Sequence, residues 1–503
     1  MDEDAAWSAM QRVGIGIAQA VVRDFQELRP VPQNLRVLAL VGKGNNGGDA
    51  LIACGRLLAD FPRASVTLLC VAEPGAMRPL AQKAFKQLEG RVQVYLVGAE
   101  MDAAAIHQLL DAESAGHGFD ICLDGLLGMA FKAPVREFMR ALIEAINGYD
   151  RIALRASVDL PSGKGDESDM VSFRAEFSYA TGIAKRVLFD GLAECGRVRL
   201  IDLGLFRDKS ELPEVFESLL TPQVLDPLRR LRPAAAEKRT YGHIFVVGGS
   251  AHMPGALLMS VQAAIRSGVG LVTAFAPASV TAALSAQVPE AMWVPWPETV
   301  NGTLNPKAFS LLQERLNRAS AVLIGPGMGK DRFTEMLVQD VVKQVDLPII
   351  MDADALRLRA LELIPKRKSN AGPVILTPHM GEFMRLAKLN EPDYSTEILM
   401  NFSRINRLIT VLKGSQTRIC DGQSVLYSSF GGPVLSRGGT GDLLAGLIGG
   451  MVAQDSASAW IAAARGIVLH GMAGECLARQ QGQVMVHSTQ LLDYLPEVLR
   501  SGA

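Results

Sequence analysis

The stretch Leu38-Ala-Leu-Val-Gly-Lys-Gly-Asn-Asn-Gly-Gly-Asp-Ala50 decides how the chain is read. An apolar run gives way to four glycines, two asparagines and an aspartate, and then to a segment of helical character. This is how a buried parallel strand turns into a helix, the basic unit of an α/β sandwich. Gly42, Gly44 and Gly47 also fit the G-x-G-x-x-G fingerprint of a dinucleotide site, with Glu73 after the next strand to hold a ribose. That fit leaves Asn45, Asn46 and Asp49 without a task. Gly47-Gly48 ahead of a helix lets backbone N–H groups point at an anion. Asp49 sets a carboxylate beside that anion, which repels a phosphate but suits a ring or a cation.

The same alternation runs along the chain. Apolar, β-rich runs stand at Val37–Val41, Val66–Val71, Val92–Val97, Ile121–Leu123, Ile152–Val158 and Val198–Ile201. They return at Gly242–Val247, Leu271–Ala276, Ala321–Ile324, Ile349–Asp352, Val374–Leu376 and Ile409–Lys413. Helical stretches such as Ala50–Asp60, Pro79–Leu88 and Val135–Ile146 fill gaps between them. The pattern predicts an α/β protein with parallel sheets covered on both faces. Thr417–Ser428, centred on Asp421-Gly422, reads as a β-hairpin. The 503 residues exceed one ordinary core, so two large domains are expected. Leu220–Lys238 carries three prolines, an arginine cluster and an alanine run. It is expected to link a first domain of residues 1–219 to a second of residues 239–503.

Composition excludes several classes. The net charge of −1, with Lys and Arg spread along the chain, gives no footprint for nucleic acid and no polybasic patch for a membrane. Six scattered cysteines without a C-x-x-C pair fit reduced thiols rather than a disulfide framework or a zinc site. No apolar run is read as a membrane span. The opening Met-Asp-Glu-Asp has the wrong charge for a signal peptide, so a cytoplasmic enzyme is the expectation.

Ligands of parallel α/β sheets bind at the carboxyl ends of the strands. Three such ends in the first half carry an acid and glycine: Gly42–Asp49, Asp124-Gly-Leu-Leu-Gly128 and Asp159-Leu-Pro-Ser-Gly163. Oxygens of Asn46, Asp124 and Ser162 suit a hard monovalent cation, by the logic that gives Ca²⁺ and Mg²⁺ their oxygen ligands. These three motifs resemble those of the NAD(P)H-hydrate epimerase domain, over about Trp7 to Leu219. The resemblance implies a Rossmann-like three-layer α/β/α sandwich that interconverts the R and S forms of nicotinamide cofactors hydrated at ring carbon C6. It implies Asn45, Asn46, Gly47, Gly48 and Asp49 at the substrate, together with Gly128, Met129, Ala130, Phe131, Lys132, Ala133 and Pro134. It makes Asp159 a catalytic acid/base at the nicotinamide, and Asn46, Asp124 and Ser162 the ligands of K⁺. The family usually has Gly where this chain has Ala50, and the loop Gly128–Pro134 departs from its pattern.

The second half is dominated by Arg437-Gly-Gly-Thr-Gly-Asp-Leu-Leu-Ala-Gly446. Gly439, Thr440 and Gly441 precede an apolar helical run, so free N–H groups and the positive end of the helix dipole face one point. Asp442 sits in the first turn beside that anion hole. A carboxylate there is unfavourable unless it works, and the work that fits is that of a general base at a phosphoryl group. Lys413, Gly414, Ser415, Gln416 and Thr417 end a strand and offer a place for a nucleotide. Gly325-Pro-Gly-Met-Gly329, Asp352-Ala-Asp354 and Thr377-Pro-His379-Met-Gly-Glu382 end other strands, and Gly248-Gly249 with Pro254-Gly255-Ala256 forms a further glycine loop.

This set is similar to the ADP- or ATP-dependent NAD(P)H-hydrate dehydratase family, in matching order from Tyr241 to about Leu495. The resemblance implies a ribokinase-like α/β domain. It implies Lys413–Thr417 with Gly439, Thr440 and Gly441 at the adenine nucleotide, and Ala256, Gly329, His379 and the catalytic Asp442 at the hydrated cofactor. Where the family usually reads Gly-Asn-Pro-Gly-Met-Ala-Thr, this chain reads Gly431-Gly-Pro-Val-Leu-Ser-Arg437. The reaction implied is dehydration of S-NADHX or S-NADPHX at the expense of ADP, with Mg²⁺ on the phosphates, and the lineage implies a homo-oligomer of four or more chains. The anion hole with Asp442 is shared with ribokinase-like kinases of sugars and vitamins. A small-molecule kinase carrying a non-catalytic first domain is therefore the alternative.

Overall fold

The computed structural model describes residues 3–190, 192–205, 216–393 and 395–500. The chain divides into two compact units, Met1–Leu212 and Pro213–Ala503.

The first unit holds β1 (Arg36–Val41), β2 (Ser65–Cys70), β3 (Gln93–Leu96), β4 (Phe119–Gly125), β5 (Ile152–Val158), β6 (Phe177–Thr181) and β7 (Arg197–Ile201). They form one sheet in the order β3-β2-β1-β4-β5-β6-β7, parallel throughout. Alternate residues of β1 point to opposite faces, as the strand period of two requires. Val37, Ala39 and Val41 join a core with the helices Glu3–Phe25, Asn45–Asp60 and Pro79–Lys86. Leu38 and Leu40 join another with Ala103–Glu113 and Glu137–Gly148. A strand buried on both faces must be apolar at every position, which is why the opening stretch has no polar residue before Gly42. The strand order reverses between β1 and β4, where a ligand crevice is expected.

The second unit holds β8 (Glu217–Leu219), β9 (His243–Val247), β10 (Leu271–Pro277), β11 (Met292–Trp296), β12 (Ala321–Ile324), β13 (Ile349–Met351), β14 (Val374–Leu376), β15 (Ile409–Leu412), β16 (Thr417–Cys420) and β17 (Val425–Ser428). Their order is β11-β10-β9-β12-β13-β14-β15-β16-β17-β8, with only the β15–β16 and β16–β17 pairs antiparallel. The order reverses between β9 and β12. The expected hairpin forms, and its turn is closed by Asp421 Oδ1, which accepts from the N–H groups of Gln423 and Ser424, both at 2.8 Å. The helix Thr440–Gln454 is buried at every residue from Leu443 to Ala453, as a helix hydrophobic all round should be. It lies between Pro254–Arg266 and Ala459–Gln481.

Three expectations change. Glu217–Leu219 pairs in parallel with β17, so these residues belong to the second sheet rather than to a first domain ending at 219. The stretch expected to be a linker packs against the second unit: Leu220 and Leu225 are buried in its core, and Pro222–Arg229 forms 3₁₀ turns. Ala459–Gln481 is long and apolar enough to cross a membrane, although the sequence reading found no such run. It is a core helix of the second unit, most of it buried.

Close helix packing in that unit depends on a missing side chain. A Cβ on Gly446 would stand 2.2 Å from the carbonyl oxygen of Ser260. Gly446→Val should therefore push the Thr440–Gln454 and Pro254–Arg266 helices apart and lower stability by roughly 1–3 kcal/mol or more. Denaturant unfolding checks this; a variant as stable as the parent would disprove the contact.

Candidate functional site

In the first unit the three acid-bearing loops come together. The helix that follows β1 begins at Asn45. It can approach so closely because Gly47 lacks a side chain: a Cβ there would stand 2.1 Å from the Gly42 carbonyl oxygen. Asn46 then reaches across the strand ends, and its Nδ2 donates to the carbonyls of Leu127 and Val158, each at 3.0 Å. Ala50, the departure from the family pattern, is fully buried, and a Cβ on Gly125 would meet its methyl at 2.7 Å. The pocket for that methyl is thus the bare backbone of Gly125.

Asp124 has no exposed surface. Its Oδ1 accepts from Ser162 Oγ at 2.6 Å and Leu126 N at 3.2 Å, and its Oδ2 from Ser162 N at 2.7 Å. Burial pushes its carboxyl up to about 6 despite these donors. No cationic side chain among the described residues pairs with it. A carboxylate desolvated without a counter-charge is costly, and a cation resolves the cost. Ser162 Oγ lies against it, and Asn46 reaches the same corner through the Leu127 carbonyl, so oxygens of the type that suits K⁺ are at hand. Among the described residues no group of three His, Cys, Asp or Glu side chains gathers as a metal site.

Asp159 follows β5 with φ of 67°, the left-handed region that a non-glycine residue enters at a cost. Its Oδ1 accepts from Thr181 N at 3.0 Å, from Thr181 Oγ1 at 2.8 Å and from Lys185 Nζ. Asp49 is buried nearby. Burial first, and then the charge of Asp159, holds its carboxyl well above the usual range, while Lys185 acts in the opposite direction. Met129, Ala130, Lys132 and Pro134 lie on the surface of their loop, with Phe131 half-buried. Asp169, which accepts from Val135 N at 2.7 Å, ties the loop's end down.

In the second unit the loops after β9 and β12 meet, with Gly249 N donating to the Pro326 carbonyl at 2.7 Å. The β12 loop is fixed in turn by Asp354, whose Oδ2 accepts from Gly329 N at 2.9 Å. Gly329 takes φ of 84°, so this open turn requires glycine. Ala256 lies close by, its Cβ 3.1 Å from where a Cβ on Gly327 would stand. His379 is the N-cap of the helix Met380–Ala387: its Nδ1 accepts from Gly381 N at 3.0 Å, which turns Nε2 outward, 3.5 Å from a Glu382 carboxylate oxygen.

The centre of this site is a buried ion pair. Lys413 Nζ donates to Asp352 Oδ1 at 2.8 Å, and the same oxygen accepts from Thr377 Oγ1 at 2.6 Å. Burial works against the ammonium charge, but Asp352, Glu382 and Asp442 together hold Lys413 above its ordinary value. A Cβ on Gly441 would lie 3.4 Å from Nζ, so the ammonium sits at the start of the Thr440–Gln454 helix. Asp442, one residue on, is raised to about 7, by burial first and then by the charge of Asp352, with Lys413 opposing. Gly439 caps the helix with φ of 92°. Gly414 and Ser415 are exposed, with Gln416 and Thr417 half-buried, leaving this loop open to solvent. Arg437 is held by the carbonyls of Val434 and Gln483, the first at 3.3 Å from its Nε.

Two residues of the sites escape sequence reading. Lys185 follows β6, a strand whose Phe-Ser-Tyr-Ala-Thr sequence shows no apolar run, so its carboxyl end is not inspected. His470 lies mid-helix in Ala459–Gln481, where nothing marks it. Burial drives it down to about 4, so its ring is neutral. Its Nε2 donates to the Thr440 carbonyl at 3.1 Å and braces the first turn of the anion hole.

With this geometry in place, the chain can be set beside known proteins. A family model described as NAD(P)H-hydrate dehydratase matches residues 244–497, and one described as YjeF-related protein N-terminus matches residues 8–187. The bifunctional NAD(P)H-hydrate repair enzyme of Moorella thermoacetica is 33% identical, covering 98% of this chain and 92% of its own. That of Gloeobacter violaceus is 32% identical, over 98% of this chain and 94% of its own. A ribokinase-like superfamily protein of Enterococcus faecalis matches as a structure, with a TM-score of 0.50 and 27% identity, over 58% of this chain and 99% of its own. Matching along both units removes the support for a kinase with a non-catalytic first domain. On a family model spanning half its length and relatives aligned from end to end, the chain belongs to the family of bifunctional NAD(P)H-hydrate repair enzymes.

Proposed function

We propose that the first unit interconverts the R and S forms of NADHX and NADPHX, and that the second converts the S form to NADH or NADPH while ADP becomes AMP and phosphate. The observation that carries the second half is Asp442 in the first turn of a glycine-capped helix, beside the Lys413 ammonium. The C6 hydroxyl is a poor leaving group. Asp442 takes its proton as the oxygen attacks the terminal phosphorus of ADP, and AMP departs. The first-turn N–H groups and Lys413 hold the charge that develops on the phosphoryl oxygens. Phosphate then leaves C6, a proton leaves C5, and the ring double bond returns. Ala256, Gly329 and His379 are assigned to the hydrated ring, and Lys413–Thr417 with Gly439–Gly441 to the nucleotide. Mg²⁺ supplies neutralisation of the phosphates when bound. The carboxylates of Asp352, Asp354 and Glu382 set the charge around Asp442 and Lys413. In the first unit K⁺ is assigned to Asn46, Asp124 and Ser162, where it balances a buried carboxylate.

The direct experiment is to mix the full chain with hydrated NADH, ADP and Mg²⁺ and follow recovery of NADH absorbance. No recovery with ADP or ATP sinks this reading. Asp442 works as a base only when ionised, and its carboxyl is raised to about 7. Dehydration kcat/KM should therefore rise with pH through an acid limb near 7, and Asp442→Asn should abolish the activity rather than shift the limb. A pH-independent rate from 5 to 9 would remove the assignment.

For K⁺, the expected result is that epimerisation measured without nucleotide falls when K⁺ is replaced by Li⁺, and that Asp124→Asn loses the difference between the two salts. Equal rates of the parent in both salts would refute the site.

A further inference from the structure

Three ionisable side chains meet at the carboxyl end of the first unit's sheet, each brought by a different segment. Asp49 comes from the helix Asn45–Asp60 that follows β1, one turn in from its start, Asp159 from the strained residue after β5, and Lys185 from the segment after β6. Their surroundings differ sharply. Asp159 Oδ1 accepts from three donors, Thr181 N, Thr181 Oγ1 and Lys185 Nζ, whereas its Oδ2 accepts from no described residue. One oxygen is locked and the other is presented. Asp49 is only 8% exposed, and its carboxyl makes no hydrogen bond or ion pair with any described residue. Burial and the charge of Asp159 hold it toward the protonated form. Two carboxyls whose environments are driven apart are the arrangement that divides acid from base.

We propose that Asp49 is the acid and Asp159 the base of a ring-opening epimerisation, with Lys185 as the positioning residue that fixes which carboxyl takes which part. The inference rests on the epimerase reading above. Asp159 Oδ2 takes the proton of the C6 hydroxyl, and that O–H electron pair becomes the second bond of a C6 aldehyde. The C6–N1 bond breaks, its pair passes to N1 and spreads through C2=C3 into the carboxamide, and Asp49 protonates N1. Rotation about C5–C6 turns the other face of the aldehyde to N1. On closure N1 attacks C6, its proton returns to Asp49, and Asp159 returns its proton to the oxygen. Both carboxyls end as they began, and no oxidant or reductant is consumed.

The test gives R-NADHX to the full chain without nucleotide and follows S-NADHX by chromatography. Asp49→Asn is expected to lower kcat about 100-fold or more, with KM changed little, the range typical of a lost general acid. Lys185→Met should lower kcat likewise, and Lys185→Arg should restore part of it, which a merely structural role would not require. In D₂O the parent's product should carry no deuterium on C6, because the C6–H bond never breaks; this holds whatever happens to a variant's folding. Parental kcat in Asp49→Asn, or deuterium on C6, overturns the proposal. A parent that fails to interconvert the epimers at all defeats the epimerase reading instead.

Discussion

The Lys413–Asp352 ion pair, 2.8 Å long and buried at the end of the second sheet, is the interaction on which that unit's chemistry depends. It ties the end of β15 to the end of β13, across β14, and Thr377, the residue after β14, donates to the same Asp352 oxygen. Removing one partner of such a pair leaves a buried charge and costs about 3–5 kcal/mol. Its consequence for catalysis lies in what is left over. Lys413 is committed to Asp352, so Asp442, raised first by burial and then by the charge of Asp352 against the opposing charge of Lys413, keeps its proton to about pH 7. A carboxyl poised near neutrality is therefore a product of burial and of the charges around it, not of Asp442 alone.

The first unit repeats the device with other parts. Lys185 is committed to Asp159, and Asp49 is left buried without a counter-ion. In both units a lysine beyond one strand end pairs with an aspartate at another, while a second carboxyl near the start of a glycine-capped helix, Asp442 in the first turn and Asp49 just past it, makes no ion pair with a described residue. The two sites share this logic although their reactions differ, one moving protons on a ring and the other moving a phosphoryl group. Helix N-termini favour anions, so an unpaired acid placed there is tolerable while it has N–H groups nearby and becomes reactive once substrate excludes water.

Much of this was legible in the sequence. The two parallel sheets followed from apolar runs, and the chemistry-bearing loops followed from acids and glycines at strand ends. Of the three proposed K⁺ ligands named before any geometry, Asp124 and Ser162 are hydrogen-bonded to each other, and Asn46 meets the Leu127 carbonyl beside them. The misses have physical causes. β6 carries polar residues on a strand that a period of two does not reveal, so Lys185 behind it stayed hidden. β11 contains Pro295, which an edge strand tolerates because one side needs no ladder bond. β8 is three residues long and acquires its strand character only by pairing with β17. His470 stands in an otherwise apolar helix, and only the packing of two helices reveals that its proton is spent on Thr440.

Having both units on one chain has a kinetic meaning that follows from stereochemistry. Hydration of a planar ring carbon can occur from either face, so R and S arise together. Under the proposed mechanism, a phosphoryl-transfer site built around one hydroxyl position, with Asp442 beside it, would accept one of them. The other accumulates unless its C6 configuration is reset, and a reset without net chemistry can only bring the epimers to equilibrium. Irreversible phosphate release in the second unit then draws that equilibrium onward. The covalent link fixes the two units at one to one, so their proportion stays constant as expression varies.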